Sequence, residues 1–404
     1  MSRITRLPPE LLLDILELSD TPSIHATVCW VFNRIATPIL YRTVYLYRRY
    51  KLVRKPHNIH LFLRTIIGRP ALGTFVRRLV EGPFYETSDY PVPPSFVAEA
   101  AARGLSPEIQ EAVADGSIPA MLFLLLCYLP SLQNLEIRVL RPAEDYRIFN
   151  WQTFTTNPIP SALRSIHSAQ ICLWNTSLHV AHVPWEMIAP FFHLPSLRRF
   201  ECNGGLVCID SSNFISNSLP RSTLIEYMIF NDSAVYNIEA LVRSSSSLRT
   251  FVYNFNSATS VSFHPPAVGN VLRQCALNTL EYLEVNTPDL LVHSLGPLSD
   301  FVNLTYIETS LSILLGARVR GSPDAIAHQL STTLPVSLLS LVLFIDYAWQ
   351  GVIIVPMMEQ FVKHKRERLK HLQEISMYGP TESEMEMIDS LCDAEGLEFY
   401  PYHF

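Results

Sequence analysis

The chain has 404 residues, 48% hydrophobic and 17% charged, with a formal net charge of −6. This composition excludes a disordered chain, and the length allows one extended domain or two compact ones. The longest apolar run, "AMLFLLLCYL" (120–129), is about half what a membrane-spanning helix needs and the N-terminus lacks a signal-peptide core, so a cytoplasmic or nuclear protein without a membrane partner is expected.

The first predicted element is "LPPELLLDILELSD" (7–20). Pro8 and Pro9 fit the first turn of a helix, and Glu10 complements the positive end of its dipole. Leu11, Leu12, Leu13, Ile15, Leu16 and Leu18 then cover well over half the circumference, more than the stripe of roughly 100° that a helix buries on one small domain. "SIHATVCWVFNRIA" (23–36) places apolar residues at helical spacing, and "TPILYRTVYL" (37–46) opens on Thr37 as an N-cap with Pro38 at the first helical position. Three such short helices bury too little surface to stand alone, so the apolar excess predicts an interface, with the rest of the chain or with a second protein.

The order L-P-x-E-L-L-x-x-I-L, here Leu7, Pro8, Glu10, Leu11, Leu12, Ile15 and Leu16, is followed by Val28, Cys29 and Phe32 and then by Pro38 to Tyr41. It resembles an F-box of the kind common in fungal proteins. In that family a three-helix module docks on the Skp-type adaptor of a cullin-based (SCF) ubiquitin ligase, and the remainder of the chain captures the substrate. The resemblance implies adaptor-facing or interface-supporting roles for Leu7, Pro8, Leu11, Leu12, Ile15, Val28, Cys29, Phe32, Leu40 and Tyr41. It covers about the first tenth of the chain, residues 1–46, and departs from the usual pattern at Trp30-Val31.

Residues 1–80 hold 13 Lys or Arg against 4 Asp or Glu, so they carry +9 and residues 81–404 carry −15. The positive charge is densest in "RTVYLYRRYKLVRK" (42–55), which reads as a nucleic-acid or import patch or as a solvated face suited to an acidic partner. Its alternation with Val44, Leu46, Leu52 and Val53 favours the solvated face, and no nucleic acid is expected. Residues 47–128 read as a linking segment with a possible first repeat at "FVRRLVEGP" (75–83), a loop at 85–95, and two short helical pieces in 96–116 divided around Ser106-Pro107.

From 129 to 404 the phrase apolar-x-x-apolar-x-apolar returns. Its middle apolar residues are Leu135, Ile166, Phe200, Tyr227, Phe251, Leu283, Ile307, Leu341 and Ile375, spaced 24 to 34 residues apart, and Leu79 fits an earlier copy. A final echo lies in "GLEFYPYHF" (396–404). Stretches 183–195, 237–245, 266–276 and 356–370 read as helices with one apolar face. A strand followed by a return limb, stacked on its neighbours, is the physics of a repeat array. The pattern resembles leucine-rich repeats, although its periods are long and the usual Asn or Cys after the strand is missing. The expected fold class is therefore an α/β repeat: a three-helix F-box, then a curved, irregular solenoid.

The residue after each register mark should point away from the core, because side chains alternate along a strand. These are Glu136, His167, Glu201, Met228, Val252, Glu284, Glu308, Val342 and Ser376. Glu136, Glu201, Glu284 and Glu308 are the candidate substrate-facing residues, suited to Lys or Arg on a target, or they keep an exposed sheet soluble.

Motifs for esterase, phosphate-loop, zinc-hydrolase and dinucleotide chemistry are absent, and Gly204-Gly205 reads as a turn. Seven dispersed cysteines without a C-x-x-C pair fit a reducing compartment and no zinc site. No catalytic residue, cofactor or metal is expected. The reading is a non-catalytic substrate receptor whose partners are a Skp-type adaptor, through it a cullin, and a protein target. The alternatives are a repeat scaffold whose first helices only cap the array, and an enzyme with residues scattered in sequence.

Overall fold

The computed structural model describes residues 30–46, 58–82, 91–139, 161–173, 182–184, 188–208, 224–235, 238–254, 264–286, 293–316, 321–345, 349 and 354–402. The chain divides into two compact units, Met1–Leu197 and Arg198–Phe404.

In the first unit α1 (Trp30–Arg42) runs directly into β1 (Thr43–Tyr45). There follow α2 (Asn58–Gly68), a 3₁₀ turn (Pro70–Phe75), β2 (Arg78–Glu81), α3 (Pro94–Ala102), α4 (Pro107–Ala114), α5 (Ile118–Leu126) and β3 (Asn134–Val139). A second 3₁₀ turn (Ser161–Ser165), β4 (Ser168–Leu173), β5 (His182–Pro184) and a third turn (Ala189–His193) come next. Strands β1, β2, β3 and β4 pair in that order, all parallel. The apolar run at 120–129 lies largely on α5, in which every residue is buried; a short helix apolar all round is a core helix.

Several expectations change here. The break predicted at Thr37-Pro38 does not occur: α1 continues through Pro38, and the Thr37 hydroxyl donates to the Asn33 carbonyl at 2.6 Å, one turn back. A proline deletes one helical bond without necessarily ending the helix. Residues 43–45 are then a strand rather than the end of a third helix. Strands β1 and β2 extend the repeat sheet upstream of residue 129, into the segments read as helical cap and link, because Val44, Leu79 and Val80 bury their side chains. The division of 96–116 falls where predicted. Of the helix expected over 183–195, the described residues form the end of a strand and a 3₁₀ turn; Pro184, Pro190 and Pro195 each lack a backbone donor.

Among the described residues the second unit contains eight strands: β6 (Arg199–Cys208), β7 (Tyr227–Val235), β8 (Thr250–Asn254), β9 (Tyr282–Asn286), β10 (Tyr306–Ser310), β11 (Ser340–Phe344), β12 (Glu374–Tyr378) and β13 (Glu398–Tyr402). They pair in chain order and all in parallel. The return limbs include α6 (Ile238–Arg243), α7 (Pro265–Ala276), α8 (Leu311–Leu315), α9 (Pro323–Thr333), α10 (Ile354–Arg368) and α11 (Glu382–Ala394). Gly269 on α7 is required by packing: a Cβ there would meet the Leu295 carbonyl oxygen at 1.9 Å.

Two devices hold successive repeats in register. First, at most of the strand entries one carbonyl accepts two successive backbone donors from the next repeat, as Glu281 does from Thr305 and Tyr306 at 2.9 and 3.1 Å. Arg77, Gln133, Glu226, Arg249, Thr305 and Leu339 carbonyls do the same. Second, the hydroxyls of Ser165, Thr279 and Ser337 donate to the Leu132, Leu248 and Leu304 carbonyls of the preceding copy at 2.8 to 2.9 Å. Because each bond spans a whole repeat, the stacking direction is fixed by backbone as well as by the core.

The register marks Phe251, Leu283, Ile307, Leu341 and Ile375 lie side by side as read, preceded by Leu79 with Leu135 in the first unit and followed by Phe399. Two marks are corrected. Leu135 pairs with Ala169 rather than Ile166, and Phe200 pairs with Met228 rather than Tyr227. "LIEYMIF" satisfies the phrase in either of two registers, and burial selects Ile225 (0% exposed) over Leu224 (39%). A one-residue slip would have turned the whole strand over. Gly204-Gly205 is also not a turn: β6 runs through it, with Gly204 at φ +76°.

Candidate binding face of the repeat sheet

In β9 the buried residues Leu283 and Val285 alternate with half-buried Tyr282, Glu284 and Asn286 on the solvent side. Strand pairing extends these three positions into three rows. In the first, Tyr282 pairs with Tyr306. In the second, Glu201, Ile229, Val252, Glu284, Glu308, Val342, Ser376 and Tyr400 are consecutive partners. In the third, Asn203, Asn231, Asn254 and Asn286 are aligned on four adjacent strands.

Among the four candidate glutamates, the sheet brings two together. Glu284 and Glu308 are direct partners on strands about 4.8 Å apart. Glu201 stands three strands away, beyond Ile229 and Val252. Glu136 belongs to the first unit, where its row neighbours are Val80 and Gln170. His167 and Met228 leave the row with the register corrections; His167 precedes β4, and Met228 is core. Val252, Val342 and Ser376 lie in the row but are buried, so the solvent side is less open than strand alternation alone predicts.

The four carboxylates differ in whether their partners are charged or neutral. Glu136 is clamped by Arg78 at 3.0 Å and Arg138 at 2.6 Å. Glu201 pairs with Arg199 at 3.0 Å and accepts from Asn203 at 2.8 Å. Glu284 and Glu308 instead accept neutral donors: the Tyr282 hydroxyl at 2.8 Å and the Tyr306 hydroxyl at 2.7 Å, with the Asn254 amide also on Glu284. Among the described residues neither is paired with a Lys or Arg. The tyrosine rings stack at 4.3 Å and 4°, an aromatic shelf beside the two carboxylates.

Burial pushes the Glu308 carboxyl above its ordinary range; the Glu284 charge adds to this, while bonds from Tyr306 and Asn286 oppose it. Burial, and then the carboxylate each one donates to, push both tyrosine hydroxyls upward, so both remain donors at neutral pH. The asparagine row forms a ladder, Asn254 donating to Asn231 at 3.4 Å and Asn286 to Asn254 at 3.2 Å. Sequence reading missed this row and the tyrosines. The signal existed: an apolar-x-apolar-Asn ending recurs in "FECN", "MIFN", "FVYN" and "LEVN". Further along the sheet Phe344 stacks on Tyr378 at 4.4 Å, and Tyr400 is 46% exposed.

Of the candidate adaptor-facing residues, Leu7, Pro8, Leu11, Leu12, Ile15, Val28 and Cys29 lie outside the described residues. Phe32, Leu40 and Tyr41 lie on α1, and the half-buried Tyr41 stacks on Phe62 of α2 at 6.2 Å. Among the described residues no group of three or more His, Cys, Asp or Glu is placed to hold a metal, and no helix is long and apolar enough to cross a membrane. Burial pushes the Cys127 thiol up to about 11 and that of Cys392 up to about 12, which leaves both as poor nucleophiles.

No family model matches the chain, and no curated protein matches it. Among solved structures, a chain of the TLR13–ssRNA13 complex is 11% identical over 67% of this chain, with a TM-score of 0.29. The match spans 39% of that chain, well under half its length.

Proposed function

We propose that the chain is the substrate-recognition subunit of an SCF-type ubiquitin ligase, active in the cytoplasm or nucleus and without catalytic residues of its own. The F-box-like segment would recruit a Skp-type adaptor, and through it a cullin. The repeat sheet would hold the target protein while other subunits transfer ubiquitin. The observation that carries this reading is the occurrence, in one chain, of the F-box-like order Leu7 to Tyr41 upstream of a parallel repeat sheet. Within the sheet, Glu284 and Glu308 are the best-placed groups for Lys or Arg on a target, since Glu136 and Glu201 already face arginines. Co-expression with a Skp-type adaptor, followed by light scattering, should give a 1:1 complex. A chain that stays separate from the adaptor at micromolar concentration rejects the proposal.

One observation favours a second reading, the repeat scaffold with a helical cap. Helix α1 packs on the 3₁₀ turn Pro70–Phe75 and feeds β1 of the sheet, so this end of the F-box-like segment is built into the repeat unit. Deleting residues 1–46 would therefore strip a strand from the sheet and cannot separate the readings; point substitutions in the full chain can.

A further inference from the structure

At the entries of β1, β2 and β3 the first unit forms an open cleft of about 600 Å3. Pro38 and Phe75 supply apolar lining, and the polar lining is Arg42, Thr43, Arg77, Arg78, Gln133 and Asn134. Every one of these polar side chains carries an N–H or O–H donor, and no described carboxylate lines the cleft.

The backbone forces the positive groups together. The Arg77 N–H donates to the Arg42 carbonyl at 2.9 Å, and Thr43, Arg78 and Asn134 are partners on adjacent strands. Local neutralisation is incomplete. Arg77 donates to the uncharged Ser131 carbonyl at 3.0 Å, and Arg78 shares the single carboxylate of Glu136 with Arg138. Among the described residues the cleft arginines Arg77 and Arg78 thus have one carboxylate between them, and Arg138 shares it. Like charges brought to one cleft repel, and a bound anion relieves that repulsion. Guanidinium forks with amide and hydroxyl donors suit the planar or tetrahedral oxygens of carboxylate and phosphate.

We propose that this cleft is an oxyanion site that takes a phosphate or carboxylate group from a short acidic segment of a partner protein. A long nucleic acid fits less well: residues 81–404 carry −15, and Phe75, the aromatic ring in the described lining, is half-buried rather than presented for base stacking. The site needs no ubiquitin-ligase adaptor and stands apart from the receptor reading.

The test is isothermal titration of the full chain with four probes: pyrophosphate, a hexapeptide carrying two phosphoserines, its counterpart with glutamates in their place, and a ten-residue oligouridylate. Wild type should bind pyrophosphate and at least one of the two peptides, more weakly as salt rises. Tighter binding of the phosphopeptide identifies phosphate as the source, and parity identifies simple acidity. Arg77→Gln with Arg78→Gln should weaken binding at least tenfold, and Arg249→Gln in the second unit should leave it unchanged. If the double Gln variant does not fold, Arg77→Lys with Arg78→Lys decides, with an expected loss of at least threefold from removal of the fork. Wild-type affinity in the folded double variant, no binding of pyrophosphate or either peptide, or binding confined to the oligouridylate overturns the proposal.

Discussion

In the first unit the strand entries bring Arg42, Arg77 and Arg78 to one cleft, whereas in the second the paired strands β9 and β10 present Glu284 and Glu308 beside stacked tyrosines. Both regions are parallel strands with a buried register residue, and two-donor carbonyls such as those of Arg77 and Glu281 tie strand entries together in both. The backbone therefore supplies equivalent positions, and side chains that do not reach the core decide what each region attracts. Shared core and opposite charge can be perturbed separately.

The largest effect should be common to both regions. Leu135→Ala and Leu283→Ala each remove a buried register side chain, and each should cost about 3 kcal/mol in urea denaturation. A cost under about 1 kcal/mol at either position would show that the cores are not equivalent. Charge reversal should act in the second unit alone. Glu284→Lys with Glu308→Lys should weaken target capture about tenfold, equivalent to about 1.4 kcal/mol, with a dependence on salt that wild type shows in the opposite sense. Glu201→Lys should do less, because Arg199 already compensates that carboxylate. Equal losses from the two variants would indicate a continuous acidic row instead of a local pair.

Smaller effects refine the picture of the solvent side. Double-mutant cycles on Tyr282 with Tyr306 and on Phe344 with Tyr378 should each return a coupling of about 1 kcal/mol, the amount expected for stacked rings beyond their buried area. The smallest effect is the titration of Glu308. Its folded-state value is raised, so between the unfolded and folded values the native state binds more protons. Wild-type stability then falls as pH rises through that window and remains lower above it. Glu308→Gln removes this loss, so the variant should gain in melting temperature over wild type at neutral pH, and the gain should shrink below the ordinary carboxylate range. A gain that grows toward acid pH would reverse the assignment.

The array was legible where each repeat repeated its chemistry. Phe251, Leu283, Ile307, Leu341 and Ile375 share a large apolar mark, and their pairing follows directly from the sequence. The register is hidden at Ile166 because the paired residue, Ala169, is small, while Ile166 fills the apolar position three residues earlier, as Leu132 does in the preceding copy. It is hidden at Tyr227 because two adjacent registers are equally apolar. Thr37-Pro38 carries a sound helix-start signal that tertiary structure overrode. The arginine cleft was hidden for another reason: Arg42 and Arg77 meet through a strand pairing that local spacing does not encode.

The proposed division of labour between the F-box-like segment and the repeats is open to a direct measurement. Full-length chain carrying Leu11→Asp and Ile15→Asp should be compared with wild type for adaptor affinity and for urea unfolding in the same preparation. Unpaired charges in a desolvated contact should abolish adaptor binding, while the unfolding midpoint of the repeat sheet stays at the wild-type value. Adaptor binding at wild-type strength, or loss of the sheet together with binding, would contradict it.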